Sequence, residues 1–252
     1  MAGGTDLLVG LGDGTISAGY VVDVKGIPGL SDIDYVDGTL TIGAGVTVNR
    51  LLGFPGLPAK CRALHGAAGR LATHQIRNRA TVVGNVCNAS PACDMGPPLL
   101  VLDASVKTVS THGERTIPLK DFFRGVKSTC CGPTEIVTGL VVPVSENTAA
   151  EFIKRTRIRG HDLSLVNGAA ACEDGTGIRI ALGGVAPTPV LVEGLDRWAL
   201  SESRKIADHV LASISPIDDV RSSRSYRIGM ADVIVDELLS RLSGSGSGEA
   251  NP

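Results

Sequence analysis

Aromatic residues are scarce in this chain of 252 residues: four Phe, three Tyr and one Trp. Its core must therefore be built from Val, Leu, Ile and Ala. Charge of either sign in excess is lacking too, with 24 basic against 26 acidic residues and a formal net charge of −2. No strong field exists to draw in nucleic acid or an anionic membrane. No apolar run approaches the roughly 20 residues that would span a bilayer, and no basic stretch followed by an apolar one opens the chain. The expectation is a soluble cytoplasmic protein. Cysteine is present but unpatterned: Cys61, Cys87, Cys93, Cys130, Cys131 and Cys172 show no paired CxxC spacing. That argues against a secreted disulfide framework and against a zinc or iron–sulfur site, so no metal ligands are assigned. No repeat of 20 to 50 residues is visible, which excludes solenoids and propellers.

Glycine, by contrast, is abundant at 32 residues, the mark of a turn-rich α/β or α+β protein. The most informative stretch is Gln75 to Asp94, QIRNRATVVGNVCNASPACD, where small and amide-bearing residues stand in place of bulk. Thr81-Val82-Val83-Gly84-Asn85 is suited to a strand that runs into a tight turn, with glycine letting backbone N–H groups approach an anion. Ala2-Gly3-Gly4-Thr5-Asp6-Leu7 has the same character. Two such loops suggest a ligand with two phosphates.

Along the rest of the chain, Tyr20 to Val46 alternates short apolar strands with turns, and Asp37-Gly38 signals a hairpin between Ile33–Val36 and Thr39–Ile42. Val48 to Leu52 and Cys61 to Leu71 have helical spacing, the second as a buried helix. Pro97 to Leu102 suggests a short apolar helix, Ala104 to Ser110 a strand, Gly113-Glu114 a turn and Arg115 to Pro118 its return. Glu135 to Val142 is β-branched. After a boundary near Ser145 to Thr148, Glu151–Arg157, Leu163–Glu173 and Ile178–Leu182 predict three antiparallel strands, with a turn at Asp174 to Gly177. Trp198–Ile214 and Ser222–Leu242 then predict helices, separated by Pro216. The end, Gly244 to Pro252, has little to bury and reads as a flexible tail.

With these elements placed, AGGTDLLVG, TIGAGVT and QIRNRATVVGNVCNASPACD, followed in order by EIVTGLVVP, FIKRTRIRGHDLSLVN and IRIALGGVAPTPV, resemble the FAD-binding subunit of molybdenum hydroxylases of the carbon monoxide dehydrogenase and xanthine dehydrogenase type. The resemblance covers roughly Ala2 to Leu242. It implies an α+β chain: a FAD-binding domain of the vanillyl-alcohol-oxidase (PCMH) type in two lobes over 1–146, a smaller C-terminal domain with a three-stranded antiparallel sheet and helices over 147–243, and a tail over 244–252.

The resemblance also implies a cofactor and its contacts. Ala2, Gly3, Gly4, Thr5, Asp6 and Leu7 would wrap the FAD pyrophosphate, and Thr81, Val82, Gly84 and Asn85 would close its other side. Asn88 and Asp94 match positions that touch the cofactor, Ile42, Gly43 and Ala44 a stretch near the flavin, and Val137 and Lys154 later contacts. Residue chemistry leaves plainer readings beside these: Asp94 as a cap of the helix starting near Met95, Lys154 as a solvated strand residue, Val137 as core. Arg77 and Arg79 are read as holding the loop. His65, His74 and His161 lack a nearby Asp or Cys at catalytic spacing, so no catalytic residue is assigned.

The function so implied is electron transfer: FAD takes electrons from a [2Fe-2S] small subunit and passes them to an external acceptor such as NAD, oxygen, ferredoxin or a quinone. Molybdopterin and hydroxylation would belong to a large subunit. Two departures qualify this. Val83 stands where the family has the first of two glycines, and a β-branched residue does not readily take positive φ. The chain also starts at the first loop, where the family has about 25 to 30 further residues forming a strand and helix, which implies a shortened N-terminus. These motivate a flavin-free scaffold subunit as an alternative, beside a stand-alone flavin reductase of the same fold.

Overall fold

The computed structural model describes residues 1–55, 57, 61–145, 147–158, 162–173, 176–195 and 202–244. The expected start of a helix at Trp198, the Asp174-Gly175 turn, His161 and the tail beyond Gly244 lie outside these residues.

The DG signal forms as expected. β1 (Ile33–Val36) and β2 (Thr39–Gly43) pair antiparallel with Val36 opposite Thr39. Asp37 and Gly38 both take positive φ, 48° and 74°, the mirror-image turn whose twist suits a two-residue hairpin. β3 (Ser105–Ser110) and β4 (Gly113–Pro118) make a second hairpin. The turn falls at Thr111-His112, ahead of the expected Gly113-Glu114, because Gly113 already pairs with Ser110. β7 (Ile136–Pro143) enters between the two hairpins, giving a five-stranded sheet in the order β1-β2-β7-β3-β4. β5 (Phe123–Gly125) and β6 (Ser128–Thr129) form a separate small hairpin.

Helices cover this sheet. They are α2 (Val48–Leu52), α3 (Arg62–Arg70), α4 (His74–Arg77), α5 (Val82–Cys87) and α6 (Gly96–Val101). α1 (Leu7–Gly12) follows the first glycine loop. Helix α3 buries Ala63, Leu64, Ala67 and Ala68, the spacing that predicted a buried helix. Arg77 holds the end of α3: its Nη1 donates to the carbonyls of Gly69, Leu71 and Ala72 at 3.2, 3.0 and 3.0 Å, and its Nε to Asn49 Oδ1 at 3.2 Å.

Two expectations are corrected here. Tyr20 to Val24 forms no strand: Met1 N donates to Val22 O, Val24 N to Met1 O and Ile27 N to Val24 O, and Tyr20 is 95% exposed. The run is apolar and β-branched, but among the described residues no second strand lies alongside it. Thr81 to Val83 is not a strand either. Thr81 is the N-cap of α5, its Oγ1 accepting from Gly84 N at 3.0 Å, and a capped turn overrides the β preference of two valines.

The second sheet contains β8 (Thr148–Thr156), β9 (Ser164–Glu173) and β10 (Thr176–Gly183), all antiparallel, and a fourth strand, β11 (Val190–Val192), that was not expected; the order is β11-β10-β9-β8. One face packs on α7 (Ser203–Leu211) and α8 (Arg224–Gly244) through Ile153, Val166, Ile180, Ile234 and Leu238. The other meets the first unit through Ala150, Phe152, Ala169, Ala171 and Ala181. β9, buried along nearly its whole length, runs Gly168-Ala169-Ala170-Ala171, and these small residues let helices approach both faces. A Cβ on Gly168 would lie 2.9 Å from Ile234 Cγ2 of α8.

Candidate functional site

The Ala2–Leu7 loop is seated against the segment between α4 and α5. Gly3 is buried, and a side chain there would lie 2.2 Å from the carbonyl oxygen of Arg79. Gly4 has φ +77°, the left-handed conformation that favours glycine. The loop is then followed by α1, whose first turn takes Leu8 N to Gly4 O and Gly10 N to Asp6 O. Among the described residues, the N–H groups of Gly3, Gly4, Thr5, Asp6 and Leu7 meet no acceptor within the chain. Five consecutive uncommitted amides on a glycine loop form the concavity that an anion with several oxygens fits, so the residues present suit a diphosphate.

The α5 side differs from expectation. Val82 N donates to Val46 O, Gly84 N to Thr81 Oγ1 and Asn85 N to Thr81 O, leaving Val83 N without an acceptor among the described residues. Val83 thus sits in a helical turn, 2% exposed, and its position needs no positive φ. The strain expected of a β-branched residue there does not arise. Gly84 is needed for a different reason: a Cβ would lie 2.6 Å from Thr81 Oγ1, in the cap itself. Asn85 is engaged as a staple, its Oδ1 accepting from Met95 N at 3.1 Å and from Cys93 Sγ at 3.0 Å.

A chain of polar groups ties the two loops. Asn88 Nδ2 donates to Asp6 Oδ1 at 3.0 Å, and Asn88 Oδ1 accepts from Lys127 Nζ at 2.7 Å. Lys127, in the β5–β6 turn with φ 56°, carried no signal in the sequence; its place beside Asn88 is set by β-hairpin geometry far along the chain.

Deeper in, Asp94 and Lys154 meet. Lys154 Nζ donates to Asp94 Oδ2 at 2.7 Å and to Arg70 O at 3.1 Å, with side chains 4% and 8% exposed for the pair. Asp94 Oδ1 accepts from Ser164 Oγ at 2.6 Å and Asn167 Nδ2 at 2.9 Å. Both plain readings are therefore corrected: α6 has Met95 as N-cap with no side-chain cap, and Lys154 is buried rather than solvated. Asn167 Oδ1 is buried without a partner among the described residues. Its orientation is fixed by the amide's three donor contacts, to Cys93 O, Asp94 and Ser164. Ser164 and Asn167 lie in the quoted segment DLSLVN, but nothing in their spacing announced a carboxylate 70 residues earlier. Burial, reinforced by the Asp94 charge, pushes the Cys93 thiol up to about 12, and burial does the same for Cys87. Both thiols stay protonated at neutral pH.

Ile42, Gly43 and Ala44 close β2 beside β7, with Gly43 opposite Gly139 and Ala44 N donating to Thr138 O. Ile42 is fully buried and Val137 half-buried opposite Thr108. Both strands lie beneath α5. The structure thus brings together the first loop, α5, Asn88 and the ends of β2 and β7, and separately joins Asp94 to Lys154.

A glycine loop of uncommitted amides on a mixed fold with a sheet-and-helix C-terminal unit suits a nucleotide-cofactor protein. Residues 1–145 match the family described as FAD binding domain in molybdopterin dehydrogenase, and residues 151–242 match the CO dehydrogenase flavoprotein C-terminal domain. The chain belongs to this family and is a FAD-binding subunit of the molybdenum hydroxylases, part of an oxidoreductase. It is 28% identical over 262 residues to the putative xanthine dehydrogenase FAD-binding subunit XdhB of Escherichia coli, spanning 99% of this chain and 90% of that one. It is 31% identical over 254 residues to the nicotine 6-hydroxylase medium subunit of Paenarthrobacter nicotinovorans, spanning 96% and 87%. The solved carbon monoxide dehydrogenase from Hydrogenophaga pseudoflava superposes with a TM-score of 0.89 at 28% identity, covering 95% and 87%.

Proposed function

We propose that this chain is an electron relay, accepting electrons from a [2Fe-2S] small subunit and delivering them to an external acceptor such as NAD, while a molybdenum-cofactor large subunit carries out hydroxylation. FAD, when bound, supplies the redox chemistry; the chain holds and orients it. The observation that carries this reading is the run of N–H groups at Gly3 to Leu7 without an acceptor among the described residues, on a loop tied to the end of α5 through Asp6 and Asn88. In it, Ala2 to Leu7 with Val83 N grip the diphosphate, Thr81 and Gly84 keep α5 shaped, and Asn88 with Lys127 fixes Asp6. Ile42, Gly43, Ala44, Val82, Asn85 and Val137 shape the wall toward the flavin, and Asp94 and Lys154 its far end. Residues 1–146 form the flavin-binding domain and 147–243 the C-terminal one. A cytoplasmic location agrees with there being no membrane-spanning helix among the described residues.

A second reading, a flavin-free scaffold, draws on the amides of Val82, Gly84 and Asn85 and the Asp94–Lys154 pair, all satisfied within the chain. The test is flavin content. The purified chain is expected to show the visible flavin band with close to one FAD per chain, and Gly4→Val, forced to φ +77°, to lose it while keeping its far-UV spectrum. A chain that stays colourless after incubation with FAD would replace the relay with the scaffold.

A further inference from the structure

A groove lined by none of the residues assigned to the flavin runs between α3 and the open edge of the second sheet. α3 lies along β8 in the same direction: Arg62 reaches Glu151 at 3.4 Å, Gly66 packs over Phe152, and the carbonyl of Arg70 accepts from Lys154. β8 is an edge strand. Between them, closed at one end by α8, is a cavity of about 420 Å³, within the range of about 300 to 1,000 Å³ in which small organic ligands are held.

Its lining has two characters. Leu52, Phe54, Leu57 and Phe152 form an apolar floor, with Phe152 4% exposed. Arg62, His65, Arg70 and Arg241 stand around it, against the single carboxylate of Glu151. Glu151 is shared loosely, 3.4 Å from Arg62 and 3.8 Å from Arg241, and Arg241 also pairs with Glu237. The side chains of Arg70 and His65 meet no partner among the described residues, Arg70 being engaged only through its backbone carbonyl. Arg62, Gly66 and Arg70 follow at i, i+4 and i+8, so the two guanidinium groups flank one face of α3. The glycine between them lets α3 pack close on β8: a Cβ there would sit in van der Waals contact with Phe152 Cβ at 3.9 Å.

We propose that this groove binds a small organic anion, an apolar ring laid on Phe54, Leu57 and Phe152 with its carboxylate, sulfonate or phosphate held by Arg70 and Arg62. Guanidinium groups suit such oxyanions through paired N–H donors. The site shares none of the residues assigned to FAD. It adjoins them at one point, since Arg70 O accepts from the Lys154 ammonium that also pairs with Asp94.

The full chain, labelled with ¹⁵N, is titrated with 2-naphthoate and separately with the neutral 2-naphthamide, following amide shifts. Naphthoate is expected to bind with shifts centred on His65, Gly66, Arg70 and Phe152, and the amide about tenfold more weakly, one ionic contact's worth. The double variant Arg62→Gln/Arg70→Gln is expected to lose about tenfold in naphthoate affinity with an unchanged Tm. Gly66→Leu, which keeps both charges but crowds Phe152, is expected to abolish binding while the amide spectrum away from α3 and β8 stays that of the folded chain. Equal affinity for acid and amide, no binding at millimolar concentration, shifts centred on Gly3 to Leu7 or Thr81 to Asn85, or full affinity in Gly66→Leu would each overturn the assignment.

Discussion

Asp94 carries more of the architecture than its place in a small-residue loop announces. It gathers a lysine from β8 and a serine and an asparagine from β9, all buried. Asp94→Ala leaves the Lys154 ammonium buried without its counter-charge, and such a loss costs about 3 to 5 kcal/mol. Urea unfolding should show it, and Asp94→Leu/Lys154→Met should recover most of it; an unshifted midpoint in the single variant would mean that Lys154 finds another partner. Glu135 offers a pH-dependent counterpart. Its carboxylate is held at about 2, below its ordinary 4.5, first by Arg115, then by Thr108 Oγ1 and Gly132 N. The stabilisation is whole above about pH 4.5 and fades as pH falls toward 2. Glu135→Gln should therefore flatten the acid limb of the midpoint-against-pH curve in that window and leave the neutral region nearly parallel. Such pairings were not legible in the sequence, where Arg115 and Glu135 are separate exposed-looking charges; they depend on β3 and β7 being neighbours.

Three short helices share one starting device. Thr47, Thr73 and Thr81 each accept from the N–H three residues on, at Arg50, Ile76 and Gly84, at 3.2, 3.2 and 3.0 Å. Helices of four to six residues have little propensity of their own to draw on, so the caps matter. Replacing any one threonine by valine should cost about 1 kcal/mol by chemical denaturation. Thr81→Val should in addition lower bound FAD, because Gly84 N would be released and the turn holding Val83 N loosened; a loss of stability with full flavin content would separate the cap from the site. Element type was readable where period and length agreed, as in α3 and the β1–β2 hairpin. It was misread at Thr81 to Val83, where adjacent valines outweighed a threonine cap that only the fold reveals, and at Tyr20 to Val24, where a strand pattern lacks a pairing partner.

Over the whole molecule, the two sheets do not stand apart. α3 and α6 cover the face of the second sheet that carries Ala150, Phe152, Ala169 and Ala171. A fragment comprising residues 147–244 alone would present that face to water, and it is expected to bind a hydrophobic dye and unfold broadly, while the full chain unfolds in one transition followed by far-UV circular dichroism. A fragment with a sharp transition and no dye binding would show the units to be independent. The order β1-β2-β7-β3-β4 has a consequence for how the protein is made. Its middle strand is the last of the five to leave the ribosome, Ile42 waiting for Leu140 and Val106 for the same residue. Until then both hairpins travel with an open edge, unable to join. Closing loops of that length is slow compared with local pairing, so the nascent chain spends its most exposed interval with two half-sheets, and synthesis paused just before Ile136 should be the point at which a chaperone finds most to hold.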